Sequence, residues 1–484
     1  MQEYNIVEMN HSKGKDLEQT LLGIDIGSTK ICAIIATCKD ETPHIIGIGF
    51  HKSQGLKKGS ITNIEQASRA IKDAVNDARR VAGTNINKAV ISISGAYTKS
   101  TDSSGIVNIP NNEIGVKEIN RVIQTALYNA SIPSEYEVVH ILPYNFKLDD
   151  QDFIDDPMGM SGNRLEVSVR IITAQRSSLG NLKKAIRSAG IEIENIVLSS
   201  YASSIAVLSE DEKSLGVACI DMGGSTCELM IHVGNSLRYN DFLGVGSNHI
   251  TNDLAMALHT PQSIAEQVKI QYGGFSKASE DIDNLIEIPS IGGSDSGKHQ
   301  VSLATVHNVI YARVEETLMI LAKSLEHSNL KDQLGSGVVL TGGMVQLDGI
   351  RDLATALFNA PVRLARPMEI DGLFTDLKGP ECSTAIGLIL YASGKYTNYE
   401  IDSEKRIRYR NEKLEEETAQ FQKNIHLMNP LQDKQSSIAN PVNSVPKTAA
   451  DIKQDLSNIT EIKKIPTKNN NFFGQIWQKL TQMF

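Results

Sequence analysis

The sequence predicts an α/β protein built from two like-folded halves that face each other across a cleft. Two observations carry this. Residues 216–233, GVACIDMGGSTCELMIHV, place an apolar run ending in Asp221 before Gly223-Gly224-Ser225-Thr226 and a second, alternating apolar run. That pattern is two strands joined by a tight glycine turn. Residues 21–38, LLGIDIGSTKICAIIATC, repeat it with Asp25, Gly27, Ser28, Thr29 and Lys30, offset by one glycine. A duplicated supersecondary unit implies paired halves. Glycines let a phosphate approach backbone N–H groups, and the hydroxyls add donors. An acid at a strand end repels a phosphate directly, so Asp25 and Asp221 are expected to hold a hydrated Mg²⁺ between themselves and the anion. Taken singly, either stretch is more often an ordinary hairpin.

The remaining elements follow in order. A third strand, Ile45 to Phe50, leads to a helix entered through a capping box, with Thr62 as N-cap and Glu65 three residues on. Ile64, Ala67, Ile71, Ala74, Ala78 and Val81 mark its core face, and Gly83 closes it. Strands followed by a crossing helix indicate an α/β layer. Between Asn87 and Arg164 the texture changes. The strand 89–94, a helix with Val116, Ile119, Val122, Ile123, Ala126, Leu127 and Ala130 on one face, and the strand 137–142 predict a small inserted α+β subdomain. It is either an interaction module or a stiffening ornament. A strand resumes at Leu165, and helices around Leu182 and Ser199–Leu208 return the chain to the central hairpin. Residues 245–336 are mainly helical, with an exposed polar loop at 273–300, and Pro261 opens a helix carrying Glu266 and Lys269 on one face. As a bare pair these two are most often solvated. The strand 337–341 runs into Gly342-Gly343-Met344, a place where a flat base or phosphate can press on backbone.

Composition narrows the partners. A formal charge of −9 argues against nucleic acid, whose phosphates recruit basic surfaces. Cys32, Cys38, Cys219, Cys227 and Cys382 show no C-x-x-C spacing, and most lie in apolar runs, which reads as buried thiols in a reducing compartment. The N-terminal stretch lacks the apolar core of a signal peptide. No run is long and apolar enough to span a bilayer.

In this order, Asp25-Ile-Gly-Ser-Thr-Lys30, Asp221-Met-Gly-Gly-Ser-Thr226 and Leu340-Thr-Gly-Gly-Met344 resemble the first phosphate, second phosphate and adenosine motifs of the actin, chaperone and sugar-kinase ATPase superfamily. More narrowly, Ser94-Gly95, 156–160 (DPMGM), 163–166 (NRLE) and 211–216 (DEKSLG) resemble the FtsA family of bacterial cell-division proteins. The likeness covers nearly all of 21–395. It implies an actin-like two-domain ATPase fold with 21–86 and 166–215 as the first subdomain and 87–165 as the insert. It further implies 216–245 with 336–395 as the second subdomain and 246–335 as a helical outer lobe. Also implied are ATP binding, polymerisation, attachment of the tubulin-like ring protein FtsZ to the inner face of the cytoplasmic membrane at the division site, and recruitment of later division proteins.

By this resemblance Gly27, Ser28, Thr29 and Lys30 cradle the phosphates from one side and Gly223, Gly224, Ser225 and Thr226 from the other. Asp25 and Asp221 serve the Mg²⁺ through water, Glu266 and Lys269 contact the ribose and base, and Gly342, Gly343 and Met344 flank the adenine. Ser225 and Glu228 stand where Gly and Asp are usual, and Ser199-Ser200 where chaperone relatives place an acid near the attacking water. No general base is legible, so turnover is expected to be slow or absent.

Residues 396–470 turn to Asn, Gln, Lys, Ser and Glu, a composition that predicts a disordered linker of roughly 50 Å root-mean-square span. In the closing 471–484 segment, Phe472, Phe473, Ile476, Trp477, Leu480, Met483 and Phe484 fall within roughly 140° of a helical wheel. Lys479 sits at the edge, where its ammonium can reach lipid phosphate. This predicts an amphipathic membrane-targeting helix. A small-molecule kinase on the same fold would need a catalytic Asp and gives that helix no role. A pilus-assembly relative shares the insert but is expected to lack the tail.

Overall fold

The computed structural model describes residues 19–274, 284–291, 297–372, 374–409 and, for the backbone alone, 464–466. The terminal segment 471–484 and most of the linker lie outside the described residues.

The chain begins with β1 (Gln19–Ile26), β2 (Lys30–Lys39) and β3 (Thr42–Lys52), then the small hairpin β4 (Leu56–Lys57) and β5 (Ser60–Ile61), α1 (Ile64–Ala82) and β6 (Lys88–Ile93). The next stretch holds β7 (Thr98–Asn108), α2 (Val116–Asn129), β8 (Tyr136–Leu148), β9 (Gln151–Ile154) and β10 (Arg164–Gln175). After α3 (Arg176–Ser188), β11 (Glu192–Leu198), α4 (Ser199–Val207) and α5 (Glu210–Leu215) come β12 (Val217–Met222), β13 (Cys227–Val233) and β14 (Ser236–Leu243). The outer lobe comprises α6 (Ser247–Ala257), α7 (Gln262–Tyr272), β15 (Asn284–Pro289), β16 (Lys298–Ser302) and α8 (Leu303–His327). Last are β17 (Val338–Thr341), α9 (Ile350–Phe358), β18 (Val362–Leu364), α10 (Ser383–Ala392), β19 (Glu400–Ile401), β20 (Ile407–Arg408) and β21 (Lys464–Pro466).

The duplication in the sequence is a duplication of topology. One five-stranded sheet has the order β11-β6-β1-β2-β3 and the other β18-β17-β12-β13-β14. In each the central strand (β1 or β12) pairs antiparallel with the next strand in sequence and parallel with a later one. The glycine turns also correspond: Gly27 N–H donates to Lys30 O at 3.1 Å, and Gly223 N–H to Thr226 O at 2.8 Å. In register Asp25 faces Cys32 and Asp221 faces Glu228, so the two motifs superpose without the offset their letters suggest.

Several boundaries differ from the sequence reading. The strand at 89–94 belongs to the first half, because β6 runs parallel between β1 and β11. The strand beginning at Leu165 belongs instead to the insert, where β10 lies between β7 and β8. The insert has a core of its own, including Ile119, Val122, Val167 and Ile171. Residues 396–409, expected to be linker, supply β19 and β20 to the insert sheet and bury Tyr399 and Ile401 in that core. Part of the 273–300 loop folds as the hairpin β15–β16, whose alternation buries Ile286 and Ile288; residues 275–283 and 292–296 lie outside the described residues. The α1 N-cap is Asn63, whose side chain accepts from Gln66 N–H, while Thr62 N–H is used in closing the turn onto Gly55 O. Val81, placed on the core face by periodicity, is 48% exposed in the last turn.

Candidate functional site

The two glycine turns meet at one cleft of about 440 Å³ between the halves. Its walls hold Asp25, Gly27, Ser28, Thr29, Lys30, Asp221, Gly223, Gly224, Thr226, Glu266, Lys269, Gly342, Gly343 and Met344, drawn from four separate stretches of chain. The turns abut closely: a Cβ added at Gly224 would lie 2.3 Å from Thr29 Cγ2. Gly342 has φ +92° and packs where a Cβ would meet Asp221 Oδ1 at 2.5 Å, so only glycine fits.

Ser225 departs from expectation. It does not line the cleft; it is buried and accepts from Asn248 Nδ2 at 3.0 Å. In the duplicated turn its position corresponds to Thr29, and the letters alone do not reveal which hydroxyl is turned inward. Lys30 lines the cleft, but its Nζ donates to Cys382 Sγ at 3.2 Å and lies 5.0 Å from the Phe50 ring centroid. Ser28 Oγ accepts from Gly59 N–H at 3.2 Å, tying the first turn to the β4–β5 hairpin.

Two carboxylates face the cleft floor. Ser92 Oγ donates to Asp25 Oδ1 at 2.9 Å, and Thr384 Oγ1 donates to Asp221 Oδ2 at 3.1 Å. Burial pushes the Asp25 carboxyl up to about 6, and nearby Asp221 adds to that, against the opposing pull of Ser92 and Lys30. Burial likewise raises Asp221. Two buried acids with too little positive charge between them form an arrangement that a cation relieves. Among the described residues no cluster of three or more His, Cys, Asp or Glu could hold a metal directly.

On the opposite wall Lys269 is buried, and its Nζ reaches Glu266 Oε2 at 2.8 Å, Thr251 Oγ1 at 3.0 Å and Ser247 O at 3.3 Å. Glu266 also pairs with Thr251. The i, i+3 pair is therefore a wall of the cleft, held by α6, and differs from an ordinary solvated pair.

Glu228 is a residue that sequence reasoning noted only as a departure. Its carboxylate bridges the halves from β13: Oε1 accepts from Ser94 Oγ and Gly95 N–H, both at 2.9 Å, and Oε2 from Ser200 N–H at 3.2 Å. Burial pushes it up to about 7; Gly95, Ser94 and Ser200 oppose that rise, and Asp221 adds to it. Glu381, Gln346 and Thr384 also line the cleft without having been singled out, and so does Ser199, noted only as a departure. An acid inside the otherwise apolar run of β13 was the one available signal for Glu228.

The two equivalent sheets, the cleft between them and the inserted α+β unit define an actin-like ATPase fold. The solved PilM-PilN type IV pilus biogenesis complex contains a chain with the same fold, at a TM-score of 0.55 and 18% identity, covering 77% of this chain and 98% of that one. Residues 218–387 match the family described as cell division protein FtsA, and residues 95–173 match the SHS2 domain inserted in FtsA. FtsA of Helicobacter pylori (strain J99) is 40% identical over 497 residues, covering 96% of this chain and 99% of that protein. The Pseudomonas aeruginosa protein is 35% identical, covering 78% and 90%, and that of Escherichia coli (strain K12) 31%, covering 80% and 93%. The chain belongs to the FtsA family of cell division proteins. Among the described residues no helix is long and apolar enough to cross a membrane.

Proposed function

We propose that the chain is an ATP-binding, actin-like division protein that polymerises, binds FtsZ and holds that ring against the inner face of the cytoplasmic membrane, where it recruits later division proteins. The observation that carries the nucleotide reading is the convergence of the duplicated glycine turns and their two acids on one cleft. Backbone N–H groups of both turns suit a phosphate chain, as oriented amides do elsewhere. Asp25 and Asp221 would hold Mg²⁺ through its water shell, as hard oxygen ligands commonly do. When bound, the ion would neutralise phosphate charge. Lys269 and Glu266 would meet the sugar and base, and the backbone at Gly342 and Gly343 would lie against the flat ring.

Membrane docking rests on the apolar arc of the 471–484 segment, self-assembly on the family's actin-like fold, and the FtsZ and recruitment roles on membership of the family. Turnover is taken as slow. Apart from the two acids assigned to the ion, the buried Glu228 already accepts three hydrogen bonds from the protein, so few of its lone pairs are left for an attacking water. Equilibrium dialysis with Mg-ATP tests the nucleotide reading: saturable binding is expected, and Lys269→Met should weaken it by about tenfold or more through loss of a buried charged hydrogen-bond donor. Absence of binding by the intact chain, or undiminished affinity in the variant, would count against the assignment. A turnover of tens per second would revive the kinase alternative.

A further inference from the structure

The stretch 396–409 is stitched to the body by buried polar groups that neither core packing nor the cleft explains. Glu400 is fully buried, and its carboxylate accepts from three elements: His140 Nδ1 of β8 at 2.8 Å, Tyr391 OH of α10 at 2.6 Å and Tyr201 OH of α4 at 3.0 Å. His140 Nε2 accepts from Leu198 N–H at 3.1 Å, so the ring proton sits on Nδ1 and points at Glu400. Thr397 N–H donates to the same Tyr201 oxygen at 2.8 Å. Two residues on, Asp402 accepts from Asn195 Nδ2 at 2.9 Å and Arg408 Nε at 3.0 Å.

Helix α4 connects this cluster to the cleft. Ser199, its first residue, lines the cleft, and Ser200 N–H donates to Glu228 of the other half at 3.2 Å. Tyr201, the next residue, holds the strap. The helix is buried along its length after Ser199, so its first turn has little room to bend independently. A movement of the second half must therefore either break the Glu228 contact or carry α4 with it. If α4 moves, the Tyr201 hydroxyl shifts relative to a buried carboxylate that depends on it. Such a charge tolerates the loss of a donor poorly.

We propose that residues 396–409 form a strap that senses the cleft through α4, so that a ligand closing the two halves changes how tightly the strap is held. As regulation of the cleft, this rests on reading that cleft as a nucleotide site. Along the chain the strap comes before β21, which pairs antiparallel with β15 of the outer lobe ahead of the C-terminal segment.

Hydrogen exchange on the full chain tests the link, followed in the peptide spanning 396–409, with the Thr397 amide as direct reporter. Saturating Mg-ATP is expected to change exchange in that peptide by about threefold or more. Tyr201→Phe keeps the ring and should bind Mg-ATP as the parent does, yet lose that response. A second arm needs no ligand: Glu228→Gln weakens the cleft end of the path and should raise strap exchange while leaving α8 unchanged. If Mg-ATP fails to bind in dialysis, the nucleotide reading falls, and the Glu228→Gln arm alone decides the strap. A strap that ignores Glu228→Gln, that loosens only together with α8, or that ignores bound Mg-ATP overturns the proposal.

Discussion

Replacing Asp25 by Asn should stabilise the ligand-free protein at neutral pH while weakening its response to Mg-ATP. The folded-state carboxyl is pushed up to about 6 from the ordinary aspartate value of 3.8 by burial, with Asp221 adding to the effect. A carboxyl raised on folding favours the native state only while protonated. Its contribution is complete below the unfolded value and is lost as pH rises through the folded one. A rise of about two units corresponds to about 3 kcal/mol lost by pH 8, about half of that by pH 5 and little at pH 4. Asn retains an oxygen for the Ser92 hydroxyl and carries no charge, so the variant escapes this loss. Thermal unfolding without ligand should then show a melting point higher by roughly 3–6 °C at pH 8, with the gain shrinking steadily toward pH 4. With Mg-ATP the order should reverse in the size of the ligand-induced shift, because the parent has a carboxylate for the hydrated ion and the variant does not. A variant that melts lower than the parent at pH 8 without ligand, or whose advantage does not depend on pH, would refute the electrostatic reasoning.

Other expectations follow from packing and from the terminal segment. Ile401→Ala should cost about 2–4 kcal/mol in denaturant unfolding, since the side chain is 1% exposed in the insert core; a neutral effect would mean that the strap does not pack there. Gly342→Ala should destabilise by about 1–3 kcal/mol or more, because φ is +92° and the new Cβ meets Asp221, and the drop should appear in the same unfolding assay. In 471–484, seven apolar side chains half-buried at roughly 1 kcal/mol each give several kcal/mol, part of which is offset by ordering the helix. A single chain should therefore hold vesicles weakly, in about the micromolar-to-millimolar range, and a polymer firmly through avidity. Trp477→Glu should release the protein in vesicle sedimentation; retained binding would refute the anchor, and tight binding by an assembly-defective monomer would refute the avidity argument.

Local chemistry was legible in the sequence wherever it is written in contiguous residues. The Asp-x-Gly turns, the Gly342-Gly343 loop and the i, i+3 pairing of Glu266 and Lys269 each depend on spacing that backbone geometry converts directly into shape. Their repetition announced the two halves before any coordinates. What tertiary structure alone decided is which side chains meet across long stretches of sequence. That Glu228 reaches Ser94, Gly95 and Ser200 depends on how one half docks on the other, a matter of packing between elements over a hundred residues apart for the first two. Ser225 and Thr29 occupy equivalent turn positions, yet only Thr29 lines the cleft, because Asn248 of α6 engages the Ser225 hydroxyl. Residues 396–409 look like linker because polar and charged side chains dominate them. Glu400 and Asp402 are buried nonetheless, since His140, Asn195, Tyr201, Tyr391 and Arg408 supply donors that composition cannot foresee. Burial of a charge is decided by its partners, and those partners are brought to it only by the fold.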